Sequence, residues 1–278
     1  MNRIDDRKWI YDRMRDLVNV LDPSVYPETA EYLKGLLEDQ DDYMEDAFDI
    51  ASALCMCDKP TVWIQEEIRY ITDLYMYEIE KENSDAMNDL GAQYYDGNRG
   101  FEQSFEKAVK YYKMAAERGE RQAQENLGYC YYYGRDGEPD YEKAFNYFAM
   151  GAFDGHLVSL YKIGDMYYNG YYVEKNMKEA YAIYMRCLDT MTEFAERFVA
   201  GPVNLRLGRM YLNGYGTEKD LKSALICFQK AEGYLYSMVV EDGNYMYKKS
   251  LNDAIKGQEM ARAELMKEMP ERDWVFDK

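Results

Sequence analysis

A large apolar residue followed directly by glycine, with tyrosine three places on and a second glycine three places after that, occurs four times along this chain. The members are Leu90-Gly91 with Tyr94 and Gly97, Leu127-Gly128 with Tyr131 and Gly134, Ile163-Gly164 with Tyr167 and Gly170, and Leu207-Gly208 with Tyr211 and Gly214. The apolar residues of the pairs lie 37, 36 and 44 residues apart. Self-similarity at that period means stacked supersecondary units, and it constrains the fold more than any other property of the chain.

Each glycine doublet is followed at nearly fixed distance by a second apolar stripe: Ala108, Tyr111 and Tyr112; Ala144, Tyr147 and Phe148; Ala180, Ile183 and Tyr184; Ala224, Cys227 and Phe228. Steps of three and four put each stripe on one face of a helix. Four residues before each leading alanine stand Ser104, Asp140, Asn176 and Asp220. Their side-chain oxygens are of the kind that accept from free N–H groups at a helix start. Gly97, Gly134, Gly170 and Gly214 fall where a left-handed residue closes the preceding helix. The unit is therefore helix, short loop, helix. A glycine inside a helix is worse than alanine by about 1 kcal/mol, so Gly91, Gly128, Gly164 and Gly208 imply close approach of a Tyr or Phe from the second helix.

The pattern Ala-x-x-x-Leu-Gly-x-x-Tyr-x-x-Gly, seen at Ala86 to Gly97 and at Ala123 to Gly134, followed by Lys107-Ala108 with Tyr112 and Ala115-Ala116, resembles the Sel-1-like repeat family. That family is related to tetratricopeptide repeats. The resemblance covers roughly residues 83–236. It implies an all-α, right-handed α-solenoid of antiparallel helix pairs, a scaffold or adaptor role, and no activity common to the family. Residues 1–40 are then expected to form an N-terminal helical cap and 41–82 a degenerate helical repeat, in which Ile71, Tyr75 and Ile79 echo Ala108, Tyr112 and Ala116. Residues 83–120, 121–156, 157–200 and 201–236 are the four repeats, the third with an extended second helix ending at Ala200-Gly201-Pro202. Residues 237–268 supply a C-terminal capping helix, with Leu251, Ala254, Ile255, Met260, Ala261 and Leu265 on its apolar side, and 269–278 a tail.

Composition narrows the function. A formal net charge of -18 argues against nucleic acid and anionic membrane surfaces, whose recognition needs clustered Lys and Arg, and any charged partner should be basic. No run of about 18 apolar residues exists to span a bilayer, and the opening Met1-Asn-Arg-Ile-Asp-Asp has no stretch of signal-peptide kind. Five irregularly spaced cysteines point to a reducing, cytoplasmic setting.

Chemistry is sparse. His156 is the sole histidine and stands in the turn Asp154-Gly155-His156 between the second and third units, which rules out two-histidine zinc sites and leaves little room for the usual His-based triads. Cys55 and Cys57 lack a partner pair at zinc-finger spacing, and Cys130, Cys187 and Cys227 fall in phase with helix packing. The acids from Asp136 to Glu142 lack the turn glycine and closing glutamate of a calcium loop. No cofactor, metal or catalytic set is expected, and the chain is read as a non-enzyme.

In helix pairs of this kind the first helices line the concave face. The residues predicted to point into that groove are Tyr95, Tyr129, Tyr132, Tyr133, Tyr161, Tyr168, Asn169, Arg209 and Asn213, with Asp165 among them. Tyrosine offers a large rigid contact with a polar tip, which suits protein interfaces. The expected function is a non-catalytic scaffold holding a protein or peptide in this groove. The alternatives are a small-molecule or glycan module using the same tyrosines, packing of those tyrosines between repeats, and self-association through the end caps.

Overall fold

A computed structural model describes residues 65–97, 100–135, 137–191, 196–241 and 243–268, with isolated helical positions at 12, 15, 16, 19, 31 and 34. Most of the expected N-terminal cap, Cys55, Cys57 and the tail lie outside the described residues. The described residues are helical, without strands, and fall into two compact units, Met1–Asp140 and Tyr141–Lys278. The first unit holds α1 (Gln65–Glu80), α2 (Ser84–Asp96), α3 (Phe105–Ala116) and α4 (Arg121–Tyr132). The second holds α5 (Tyr141–Phe153), α6 (Leu157–Asn169), α7 (Met177–Thr190), α8 (Glu196–Asn213), α9 (Leu221–Tyr236) and α10 (Lys248–Glu268).

The local signals set these helices. The side chains of Ser104, Asn176 and Asp220 accept from backbone N–H groups in the first turns of α3, α7 and α9, and Asp140 directly precedes α5. Gly97, Gly134, Gly170 and Gly214 all take left-handed backbone, with φ between 62° and 77°. Two further caps come from Asn83 at α2 and Glu120 at α4. Sequential helices pack within each unit: α2 on α3 and α3 on α4 in the first, and α5 through α10 each on the next in the second.

The interior glycines face rings. A Cβ on Gly91 would stand 2.7 Å from Tyr112 Cδ1, one on Gly164 2.7 Å from Tyr184 Cε1, and one on Gly208 2.7 Å from Phe228 Cδ1. Gly128 is likewise buried. Phe228 also meets Gly257 of α10, where a Cβ would lie 2.4 Å from its ring, so this one ring fills the space between two glycines on different helices. Leu221, Ala224, Ala231 and Leu235 of α9, together with Leu251, Ala254 and Ala261 of α10, complete the core around it. In α1, the residues Ile71, Leu74, Tyr75 and Ile79 are buried on one face, and α1 packs against α2.

Two expectations about local structure are corrected. The third repeat does not have an extended second helix ending at Gly201-Pro202. α7 closes at Thr190, and Gly201 and Pro202 lie inside α8. Gly201 is there for closeness, since a Cβ would stand 3.1 Å from Leu235 Cγ, and not as a terminator. Pro202 lacks an N–H and deprives the carbonyl one turn earlier of its donor. That carbonyl belongs to Phe198, a residue that is 52% exposed. On α10, Ile255 and Met260 are 37% and 55% exposed, while Gly257 and Gln258 are buried in their stead. The close seat on Phe228 rotates the helix so that its glycine faces inward.

Alanine is the better helix former by about 1 kcal/mol, so a glycine held only by chance would gain from replacement. Overpacking against a buried ring reverses the sign. Gly208→Ala is expected to destabilise the fold by about 1–3 kcal/mol, read as a lower melting midpoint by circular dichroism; a raised midpoint would contradict the contact.

Candidate interaction surface

Aromatic side chains gather at the end of α4 and the turn after it. Tyr133 caps α4 at its C-terminus, and Gly134, with φ of 64°, lets the chain double back so that the Arg135 N–H donates to the Cys130 carbonyl at 2.7 Å. Tyr133 stacks on Tyr129, with centroids 6.2 Å apart and planes 11° apart, and meets Tyr132 edge-on at 4.9 Å. Tyr133 remains 49% exposed, and Tyr129 and Tyr132 are half-buried. The reversal carries the Arg135 guanidinium over the Phe105 ring at 4.4 Å from its centroid, with Tyr95 at 5.8 Å and Tyr133 at 5.9 Å. Tyr95 itself packs edge-on against Phe105 at 5.2 Å. Four of the predicted residues, Tyr95, Tyr129, Tyr132 and Tyr133, are thus linked through shared ring contacts. Phe105 and Arg135 were missed because they lie outside the first helix of any repeat.

The predicted residues of the second unit separate into different environments. Tyr161 is 4% exposed, and its ring lies beneath the Arg206 guanidinium at 5.1 Å, so it packs inside rather than facing a partner. Asp165 is also buried. Both of its carboxylate oxygens accept from Arg206, its Oδ1 accepts from the Tyr184 hydroxyl at 2.6 Å, and the Lys162 ammonium lies 3.9 Å away. This cluster ties α6, α7 and α8 together. Arg206 gave a usable signal, standing beside Leu207 on the buried side of a helix, but was not singled out. Tyr168 is half-buried, and that burial raises its hydroxyl above the ordinary tyrosine value. Asn169 and Asn213 are exposed, and each donates back to its own helix, to the Asp165 and Arg209 carbonyls at 2.8 Å. Arg209 pairs with Asp253 at 2.7 Å, joining α8 to α10.

Burial pushes the Cys187 thiol up to about 12 and the Cys227 thiol up to about 11, which keeps both protonated and poorly nucleophilic at neutral pH. Among the described residues no three His, Cys, Asp or Glu side chains converge as a metal site would require, and no helix is long and apolar enough to cross a membrane. His156 directly precedes α6 and makes no side-chain capping bond to it.

Comparison with known proteins agrees with this architecture. The Sel1 repeat model matches residues 84–120, 121–156, 157–184 and 203–232. Among solved structures, a Sel1 repeat protein from Oxalobacter formigenes is 25% identical with a TM-score of 0.52, over 69% of this chain and 75% of that one. A second, c5321, is described as a protective antigen present in uropathogenic Escherichia coli strains displaying an SLR fold. It is 20% identical with a TM-score of 0.49, over 70% of this chain and 41% of its own. No curated protein matches the sequence.

The Asp165 cluster makes a pH prediction. Burial alone would raise its carboxyl, but Arg206, Lys162 and the Tyr184 hydroxyl outweigh burial and hold it below the ordinary 3.8. A group depressed on folding contributes its full stability above the unfolded value and loses it as pH falls through the folded one. Stability should therefore hold from neutrality to the ordinary carboxylate range and drop below it. Asp165→Asn strands Arg206 and should destabilise the fold at neutral pH by about 3 kcal/mol, with a flatter acid limb in denaturant titrations. An unchanged acid limb would show that the cluster does not carry this stability.

Proposed function

Because this chain belongs to the Sel1 repeat family, whose repeats generally act as protein–protein interaction modules, we propose that it is a non-catalytic scaffold that holds a partner protein or peptide on the first-helix faces of its repeats. The observation that supports this is the Tyr129, Tyr132 and Tyr133 cluster. Three rings fix one another by stacking and edge contacts, yet one is about half exposed and the other two are only half-buried. Rings held in place before binding lose little rotamer freedom when a partner covers them. Tyr95 and the Arg135 guanidinium extend the same surface.

The partner's character follows from charge. A chain with formal net charge -18 attracts basic segments and repels acidic ones over a Debye length of about 8 Å at physiological salt. The tyrosine hydroxyls and carboxylates then supply hydrogen bonds that fix register, while the rings supply contact area. Arg209 and Asn213 sit on the first helix of the last repeat, and we place them, with Tyr168 and Asn169, on the equivalent faces of the second unit. Tyr161 takes no part, since it is enclosed.

The test is the double variant Tyr132→Ala, Tyr133→Ala, used as bait beside the wild type in affinity capture from the source cell followed by mass spectrometry. The partner should be lost while helical circular dichroism is unchanged. Retention of the partner, or melting of the helices, would assign these tyrosines to packing alone.

A further inference from the structure

Equivalent positions in successive repeats carry different chemistry, and the difference isolates a second surface. In the first unit, the residue after the loop glycine is Arg135, and it lies over Phe105, the first residue of the second helix one repeat earlier, at 4.4 Å. Thirty-six residues later the same two positions are Tyr171 and Tyr141, whose rings stack at 4.3 Å with planes 8° apart. The chain has put a guanidinium on a ring at one junction and a second ring at the next. Beside that stack, Tyr172 meets Phe145 at 5.5 Å, and Phe145 meets Tyr167 edge-on at 6.4 Å. All five residues lie within the second unit, and all but Tyr167 lie outside its first helices.

Tyr172 is held at a cost. Its φ is 65°, the left-handed region that side chains disfavour. Counting from the loop glycine, the same place in the last repeat is Gly216, with φ of 70°. The backbone is thus the one that glycine serves, and a tyrosine occupies it. What the ring gains inside the protein is small: it is 54% exposed, and its hydroxyl donates one long bond, 3.3 Å, to Oε1 of the exposed Glu142. Local strain at an exposed position of this kind points to a role in contact with something else.

The occupant follows from the groups displayed. Exposed ring faces attract cations, and a carboxylate at their edge selects a donor that can stack and hydrogen-bond together, which is what a planar guanidinium does. At the preceding junction the chain seats its own guanidinium, Arg135, on the ring of Phe105. The net acidic charge and the adjacent Glu142 disfavour an anionic occupant. We propose that Tyr141, Phe145, Tyr171 and Tyr172, with Glu142 at their edge, form a docking platform for an arginine-bearing segment of a partner protein. It shares no residue with the tyrosine cluster on α4 and does not depend on it.

The test uses an acetylated and amidated Gly-Arg-Gly-Arg-Gly peptide titrated into the full chain at about 0.15 M salt, where long-range attraction is screened. Binding is read from amide shifts in nuclear magnetic resonance, and stability from thermal melts. The amides of Tyr172 and its loop neighbours should shift first, and the lysine counterpart should bind more weakly. Tyr172→Gly leaves net charge unchanged and supplies the residue the backbone prefers. It should weaken the arginine peptide about three- to five-fold while the melting midpoint stays level or rises. Glu142→Gln should also weaken it, and Tyr132→Ala with Tyr133→Ala should not. Equal affinity for Tyr172→Gly and wild type, equal affinity for the lysine peptide, or a lowered midpoint in Tyr172→Gly would overturn the proposal. The last would mean that the ring is a packing element.

Discussion

The contact between a helix-interior glycine and an aromatic ring from the neighbouring helix is what the repeats depend on. At Gly91, Gly164 and Gly208 the ring comes so close that no Cβ fits, with the nearest ring carbon 2.7 Å from where one would stand. Tyr112, Tyr184 and Phe228 are correspondingly buried. Burying a large ring against backbone brings the two helices near enough for the small residues around it, Ala108, Ala180 and Ala224, to meet the facing helix. A larger residue in place of the glycine separates the helices and loosens every contact beside it.

Around this shared element the units differ in what else joins their helices. The third and fourth repeats add a buried ion cluster, with Asp165 receiving Arg206 and the Tyr184 hydroxyl. Tyr184 therefore serves twice, its ring on Gly164 and its hydroxyl on Asp165. The last repeat has phenylalanine at that place, and Phe228, without a hydroxyl, meets Gly257 of α10 as well as Gly208. So α10 closes the second unit by reusing the glycine-on-ring contact rather than by a separate capping device. Tyr133 and Tyr172 are among the aromatic residues left exposed instead, at 49% and 54%.

Much of this was readable before any coordinates. The period, the helix pairs, the Ser104, Asn176 and Asp220 caps and the left-handed glycines all follow from local rules that act within a few residues, so sequence carries them directly. Gly201-Pro202 misled because glycine then proline is the usual end of one helix and start of the next. Here Gly201 answers to Leu235, far along the chain, and Pro202 stands one turn after an exposed residue, Phe198. The same limit applied to α10, where Gly257 and not the apolar pattern decides which face is buried. Tyr161 and Asp165 were placed on a surface because a first-helix position carries no sign of Arg206 reaching across from α8. Arg135 and Tyr172, by contrast, sit in loops, where repeat periodicity says least.

The glycine contact is tested most directly by a double-mutant cycle on Gly91 and Tyr112, where a Cβ on the glycine would stand 2.7 Å from the ring. Stability of wild type, Gly91→Ala, Tyr112→Leu and the double variant would be measured by chemical denaturation. If the glycine exists to admit the ring, Gly91→Ala destabilises the wild type but is neutral or stabilising once Tyr112 is leucine, with a coupling of at least about 1 kcal/mol. Additive effects, with Gly91→Ala equally harmful in both backgrounds, would contradict the account.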